Sequence, residues 1–136
     1  MKDFFEALYS YLTQKTEVKE IVGNKIYPSI LPQDAAIPAI VYRPISAGYD
    51  SLLGGDSGFV RQIVQIVCFD KTFKKVRILS RKVKKAIQDL NGLMGGLKIE
   101  AVFIRSDFEL SSNTALKYNV DEYMSILEFE FFFNEK

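Results

Sequence analysis

Acid–base, nucleophilic and metal chemistry require titratable or ligating side chains at defined spacings, and this sequence offers few of them. There is no histidine among the 136 residues. That removes Ser-His-Asp and Cys-His catalysis in their usual forms, and any histidine-ligated metal. The single cysteine, Cys68, lies in the mostly apolar run RQIVQIVCFD. It has no partner for an intramolecular disulfide and suits a reducing compartment. A thiol in such a run is predicted to be buried and structural, not a nucleophile. Gly55-Asp56-Ser57-Gly58 sets a serine among glycines, but with no base to activate Ser57 the segment reads as a turn. Asp34, Asp70 and Asp107 are isolated carboxylates without ligand spacing. No GxGxxG, P-loop or paired CxxC is present, so neither cofactor nor metal site is predicted, and the chain is not read as an enzyme.

Charge is the second place to look. Net charge is +1, which gives no global field toward nucleic acid or membrane. Locally, eight of the eighteen basic residues fall between Lys71 and Lys85. Lys74, Arg77, Arg81, Lys84 and Lys85 mark the arc of a predicted helix opposite its apolar stripe, Val76, Leu79, Val83, Ala86, Ile87 and Leu90. Such an arc is ordinarily a solvated face. As a functional surface it would meet DNA phosphates, with salt-dependent and sequence-independent affinity, or an acidic protein patch. No aromatic platform is interleaved with these lysines, which argues against RNA or single-strand reading. Ile78 lies mid-arc and is a candidate protein-contact anchor.

The elements that would position these groups can be read from periodicity. Asp3 is a plausible N-cap with Glu6 three residues on. Phe4, Ala7, Leu8, Tyr11 and Leu12 then share one helical face. A short helix, Thr16 to Val22, is stopped by Gly23-Asn24. All four prolines lie between Pro28 and Pro44, in an extended segment with a short strand from Ala39 to Arg43. Ser46 to Gly58 is glycine-rich and reads as a mobile loop. Phe59 to Phe69 is a strand with Val60, Val64, Ile66 and Cys68 on one side and Ile63, Val67 and Phe69 on the other, so both sides need cover. Thr72 caps a helix from Phe73 to Asn91, closed by Gly92. A strand from Leu97 to Arg105, a polar stretch from Ser111 to Asn119 and a last strand from Tyr123 to Phe133 complete the chain. The whole is predicted to be a single domain over residues 1–136 and α+β, a mostly antiparallel sheet with two main helices on one face and long loops. No apolar run is long enough to span a bilayer. The segment MKDFFEALYSYL lacks the uninterrupted apolar core of a signal peptide, so a cytoplasmic start is expected.

Two substantial helices are too few to hide this sheet. On the last strand Tyr123, Leu127, Phe129, Phe131 and Phe133 fall on one side, while Met124, Ile126 and Phe132 alternate with Glu128 and Glu130 on the other. Met124, Ile126 and Phe132 are therefore candidate subunit contacts, since large exposed apolar patches usually mark interfaces and FEFEFFF would be hazardous as an open edge. Tyr49, Leu52 and Leu53, in the glycine-rich loop, are further candidates for a subunit or partner contact.

From Gly23 to Asn91 the order of elements resembles a known family. A Val22-Gly23-Asn24-Lys25-Ile26-Tyr27-Pro28 turn, an Ile37-Pro38-Ala39-Ile40-Val41-Tyr42 strand entry, and Arg61 to Asp70 running into a basic amphipathic helix resemble the tail-completion (tail-terminator, head–tail joining) proteins of long-tailed bacteriophages and prophages. The resemblance implies a small α+β subunit that assembles with itself into a ring, typically a hexamer. It implies a ring that caps the tail tube and meets the tail-tube and head-connector proteins, with DNA only as passing cargo. It implies no cofactor, no active site and no membrane partner, with residence in the host cytoplasm during assembly and then in the virion. The alternative read from the residues is a sequence-nonspecific DNA-binding protein using the helix over residues 73–91, and a small enzyme with a carboxylate-bound metal is a third.

Overall fold

Asp3 caps the first helix: its Oδ2 accepts the backbone N–H groups of Phe5 and Glu6 at 3.0 and 3.2 Å. In the computed structural model, which describes residues 3–52, 55–90, 92–111 and 123–134 (with side chains for all of these except 50–52, 55–57, 110 and 111), that helix is α1, Phe4–Gln14. It buries Phe4, Ala7, Leu8, Tyr11 and Leu12, the face read from periodicity. A shorter helix, α2, spans Thr16–Val22 and ends at Gly23, whose φ is +61°. Strand β1 is Ile26–Pro28, β2 is Ala39–Leu52 and β3 is Gly55–Asp70. Helix α3, Phe73–Gln88, starts at Thr72, whose hydroxyl accepts the Lys75 N–H at 3.1 Å. Strands β4, Leu93–Met94, β5, Leu97–Ser111, and β6, Tyr123–Asn134, follow.

The strands form one mixed six-stranded sheet in the order β1-β2-β3-β6-β5-β4. Only β1 and β2 run parallel; the other described pairs are antiparallel. The fold is α+β, with α2 a third helix beside the two main ones. Helix α3 ends at Gln88 and not at Asn91, with Asp89 as its C-cap.

One expectation is overturned. Ser46–Gly58 is not a loop: β2 runs on to Leu52, β3 begins at Gly55, and the two stay paired from Ser46↔Ile63 to Leu52↔Gly55. Glycine content is a local signal, and here pairing with the neighbouring strand overrides it. The irregularity appears instead as register shifts at Pro44/Ser46 and Tyr49/Ser51. Gly55-Asp56-Ser57-Gly58, read as a turn, is the opening of β3. Residues 112–122, which hold most of the predicted polar stretch, lie outside the described residues.

The core lies between one face of this sheet and the helices. The β3–β6 register sets Val64 against Phe129 and Ile66 against Leu127, and all four are fully buried. Helix α3 packs over β3, β6 and β5. Helix α1 covers the other end, where the Phe4 ring stacks on Phe133 at 5.1 Å and meets Phe131 edge-on at 5.0 Å. The Tyr11 hydroxyl donates to the Ala86 carbonyl at 2.5 Å, which ties α1 to α3. The β4–β5 turn reaches α1 through Gly95: a Cβ there would sit 2.5 Å from the Ala7 carbonyl oxygen and 2.9 Å from its Cα, at φ +56°. Gly96 has a positive φ too, but its Cβ would meet nothing within 4 Å. Gly96→Ala is expected to cost about 1–2 kcal/mol from backbone conformation alone. Gly95→Ala, which must also displace α1 backbone, is expected to cost clearly more in urea unfolding. Equal losses would show that the close approach to Ala7 is not a constraint.

Candidate functional site

Strand register carries side chains onto shared faces, so the sheet surface turned away from the helices can be read in rows across β2, β3, β6 and β5. One row is Val41, Val67, Ile126 and Phe108. The next is Arg43, Gln65, Glu128 and Ser106, and the next Ser46, Ile63, Glu130 and Phe103. A fourth is Gly48, Arg61, Phe132 and Ala101. Apolar ends thus flank a polar middle. Arg61 Nε lies 3.5 Å from Glu130, and Arg105 Nε lies 3.9 Å from Glu128. The Arg61 guanidinium also lies across Gly48, 3.7 Å from where a Cβ would be, an ordinary contact distance.

Burial along these rows is uneven. At the β2–β3 side Val41, Ile63 and Val67 are buried, without a second layer of helices. The two-sided apolarity of β3 is therefore largely satisfied within the chain. Exposure grows toward β5. Met124, Ile126 and Phe132 on β6 are half-buried, whereas Phe103 is 56% and Phe108 45% exposed. Phe103 meets Phe132 edge-to-face at 5.9 Å between centroids. Neither Phe103 nor Phe108 was singled out from sequence. For Phe103 the signal was there in principle, since it alternates out of phase with Val102 and Ile104, which pack against the core. Phe108 is in phase with them in sequence and reaches the outer face only through the register shift between Ile104 and Ser106.

The same strand has an open backbone edge. Strand β4 pairs only with Leu97 and Lys98, and the Ile99 N–H is taken by the Gly92 carbonyl at 2.7 Å. From Ala101 to Ser111, β5 has no strand on that side among the described residues. The opposite edge is also covered only in part, and from Arg43 to Leu52 β2 has no strand on its outer side among the described residues. Strand β1 covers Ile40–Tyr42, and the Tyr42 carbonyl accepts the Ser29 N–H at 2.8 Å. Two residues on, Pro44 faces the same edge and has no N–H to offer.

The other candidate residues separate into groups. Tyr49 and Phe132, with Phe59 and Arg61, line one cleft of about 420 Å³ where the β2–β3 hairpin leaves the sheet. Leu52 closes β2 opposite Gly55; its side chain, and Leu53 altogether, lie outside the described residues. Ile78 is 43% exposed and faces a depression lined by Ile21, Pro38, Asp70 and Lys75, beside α2 and not far out in solvent. Lys74, Arg81 and Lys85 are exposed and Lys84 is half-buried, with Lys85 bonded to Asp89 at 3.1 Å. Arg77 is set apart. Its guanidinium donates to Glu109 on β5 at 3.0 Å, while Ser125 on β6 donates to the other Glu109 oxygen at 3.2 Å. Arg77 also lies over the Phe73 ring. It clamps α3 to the sheet.

No three Cys, Asp or Glu side chains converge to hold a metal among the described residues. Asp70 is buried and accepts the Lys71 N–H at 2.7 Å. Cys68 is fully buried, and burial pushes its thiol pKa well up, with the Asp107 carboxylate adding to the shift. It is therefore a poor thiolate source. No helix is long and apolar enough to cross a membrane among the described residues.

What the geometry offers is contact surface: a helix-covered face that is closed, and a second face that opens toward β5, whose outer edge has no strand from Ala101 to Ser111 among the described residues. The family model described as tail completion protein gp17 matches residues 6–121, and the chain belongs to that family. The fold is similar to a chain in the virion of a native gene transfer agent particle, with a TM-score of 0.70 at 14% identity, covering 96% of this chain and 94% of that one. No curated protein matches the sequence. The chain is a structural virion protein of the bacteriophage tail-completion class.

Two measurements check the local assignments. Arg77→Met should lower stability by about 1 kcal/mol, since a partly exposed pair is screened, whereas Arg81→Met should stay within about 0.5 kcal/mol of the parent. Equal effects would remove the clamp. Cys68 should resist a disulfide thiol reagent in the folded protein and react fully in denaturant; rapid reaction in the native state would contradict its burial.

Proposed function

We propose that this chain caps the polymerised tail tube and joins it to the head connector as a ring of identical copies, a hexamer, with the β5 side of the sheet at the subunit contact. One observation carries the reading: exposed aromatic surface and a strand edge without a partner among the described residues coincide on β5, beside Met124, Ile126 and Phe132. A cyclic array repeats a single head-to-tail interface, and closure fixes the copy number. Burying Phe103 and Phe108 against a neighbour supplies the apolar core of such an interface, and Glu128, Glu130, Arg61 and Arg105 supply a polar surround. The cleft holding Tyr49 and Phe132, and the end of β2 at Leu52, would then be free for the tube or the connector. The role is geometric, with the genome as cargo. The fold, the family and the likeness to a virion chain support the reading.

The test is a double variant, Phe103→Asp with Phe108→Asp. Both side chains are exposed, so folding stability should change by no more than about 1 kcal/mol. Self-association and the rescue of tail joining in particles lacking the protein should both be lost. A folded double variant that completes tails at the parent level would overturn the assignment of this face.

A further inference from the structure

The exposed side of α3 plays no part in the contact proposed for β5. Lys74, Lys75, Arg81, Lys82, Lys84 and Lys85 lie along it, flanking Ile78. Acidic side chains compensate little of this charge. Asp89 takes Lys85 and Glu109 takes Arg77; among the described residues no carboxylate pairs with Lys74, Lys75, Arg81, Lys82 or Lys84. A chain of net charge +1 thus sets five cations without an ion pair, among the described residues, along one helix face. We propose that this face binds the phosphate backbone of duplex DNA without regard to sequence.

Three observations favour DNA over an acidic protein. The first is residue type. Protein interfaces are depleted in lysine and centred on buried apolar or aromatic anchors, and this face is lysine-rich with no such centre. Ile78, the only apolar side chain on the arc, sits against the Ile21–Pro38 depression. Phe73, at the start of the helix, is 52% exposed but sits at the flank of the arc, where its ring is met by the Arg77 guanidinium and by Tyr123 edge-on. The second is spacing. From Lys74 to Lys85 the helix rises about 16 Å, the axial length of about five phosphates on one strand. The third is chemistry. Lysine ammonium groups on flexible stems act as point charges that follow a backbone, without the planar fork that reads base edges.

The experiment uses the full chain and a short labelled duplex in a fluorescence-anisotropy titration, repeated with a second, unrelated sequence. The parent should bind both duplexes equally, with Kd in the roughly 1–100 μM range of non-specific binding. Four phosphate contacts predict a slope of log K against log salt of about −4. The triple variant Lys74→Glu, Arg81→Glu, Lys82→Glu should keep the parent's circular dichroism and bind roughly tenfold or more weakly at about 50 mM salt, with a shallower slope. No binding by the parent at that salt, or undiminished binding by a folded triple variant, overturns the proposal. So does parent binding to poly-glutamate but not to duplex, which would assign the face to an acidic protein. The inference is independent of ring closure. The Phe103→Asp, Phe108→Asp variant should bind duplex like the parent at the single-subunit level, so failure of one reading does not decide the other.

Discussion

The register between β3 and β6 is the constraint on which the rest of this molecule depends. Twelve consecutive residues pair from Phe59↔Asn134 to Asp70↔Tyr123 without a shift. Side chains alternate with period two, so a slip by one position would exchange the faces of the whole strand. Phe129 and Phe131 would leave the core, and Glu128 and Glu130 would be driven against the helices. The burial of Leu127, Phe129 and Phe131 makes that exchange costly, since exposing one such side chain forfeits about 2–3 kcal/mol of transfer free energy. Beyond this central pair the sheet is less regular: both β2 and β5 carry two register shifts. Irregularity is thus confined to the flanking strands, where the molecule meets its surroundings.

A division of labour follows. One face is closed by α1 and α3 and supplies stability. The other carries polar rows between apolar ends, and its glutamates are matched by Arg61 and Arg105. The apolar band is covered where β2 and β3 meet and uncovered at β5. Strand edges invite unwanted pairing, and this chain covers each of its two edges only in part. Beside β2 it sets a parallel strand, then a proline without an N–H. Along β5 it keeps charges and two bulges, but leaves the aromatic side chains in the open.

Much of this was legible in the sequence because it is written in local patterns. The Asp3 and Thr72 caps, the α1 face, the α3 stripe and the alternation of β6 are each set by residues within a few positions of one another. So is the match of short turn and strand motifs to the tail-completion family. The length of β2 was not legible. Gly48, Gly54, Gly55 and Gly58 signal a loop to any local reading, and only pairing with β3 carries β2 on to Leu52. The parallel β1–β2 pair is non-local in the same sense. The candidate surface was half legible. Met124, Ile126 and Phe132 followed from alternation on β6. Phe103 and Phe108 did not, because whether an outward side chain is covered depends on which strand lies at the edge. Arg77 looked like the rest of the basic arc until Glu109 and Ser125 were placed beside it by the β5–β6 pairing.

Side-chain footprinting by hydroxyl radicals, on the isolated protein and on completed particles, tests the central claim most directly. That claim is that the open apolar surface at β5 is covered by a neighbour in the assembled virion. It predicts that Phe103, Phe108 and Met124 lose reactivity on assembly, while the already buried Phe129 and Phe131 stay unreactive in both states. If Phe103 and Phe108 label equally in the free protein and in the particle, with protection appearing only on the helix side, the account is wrong.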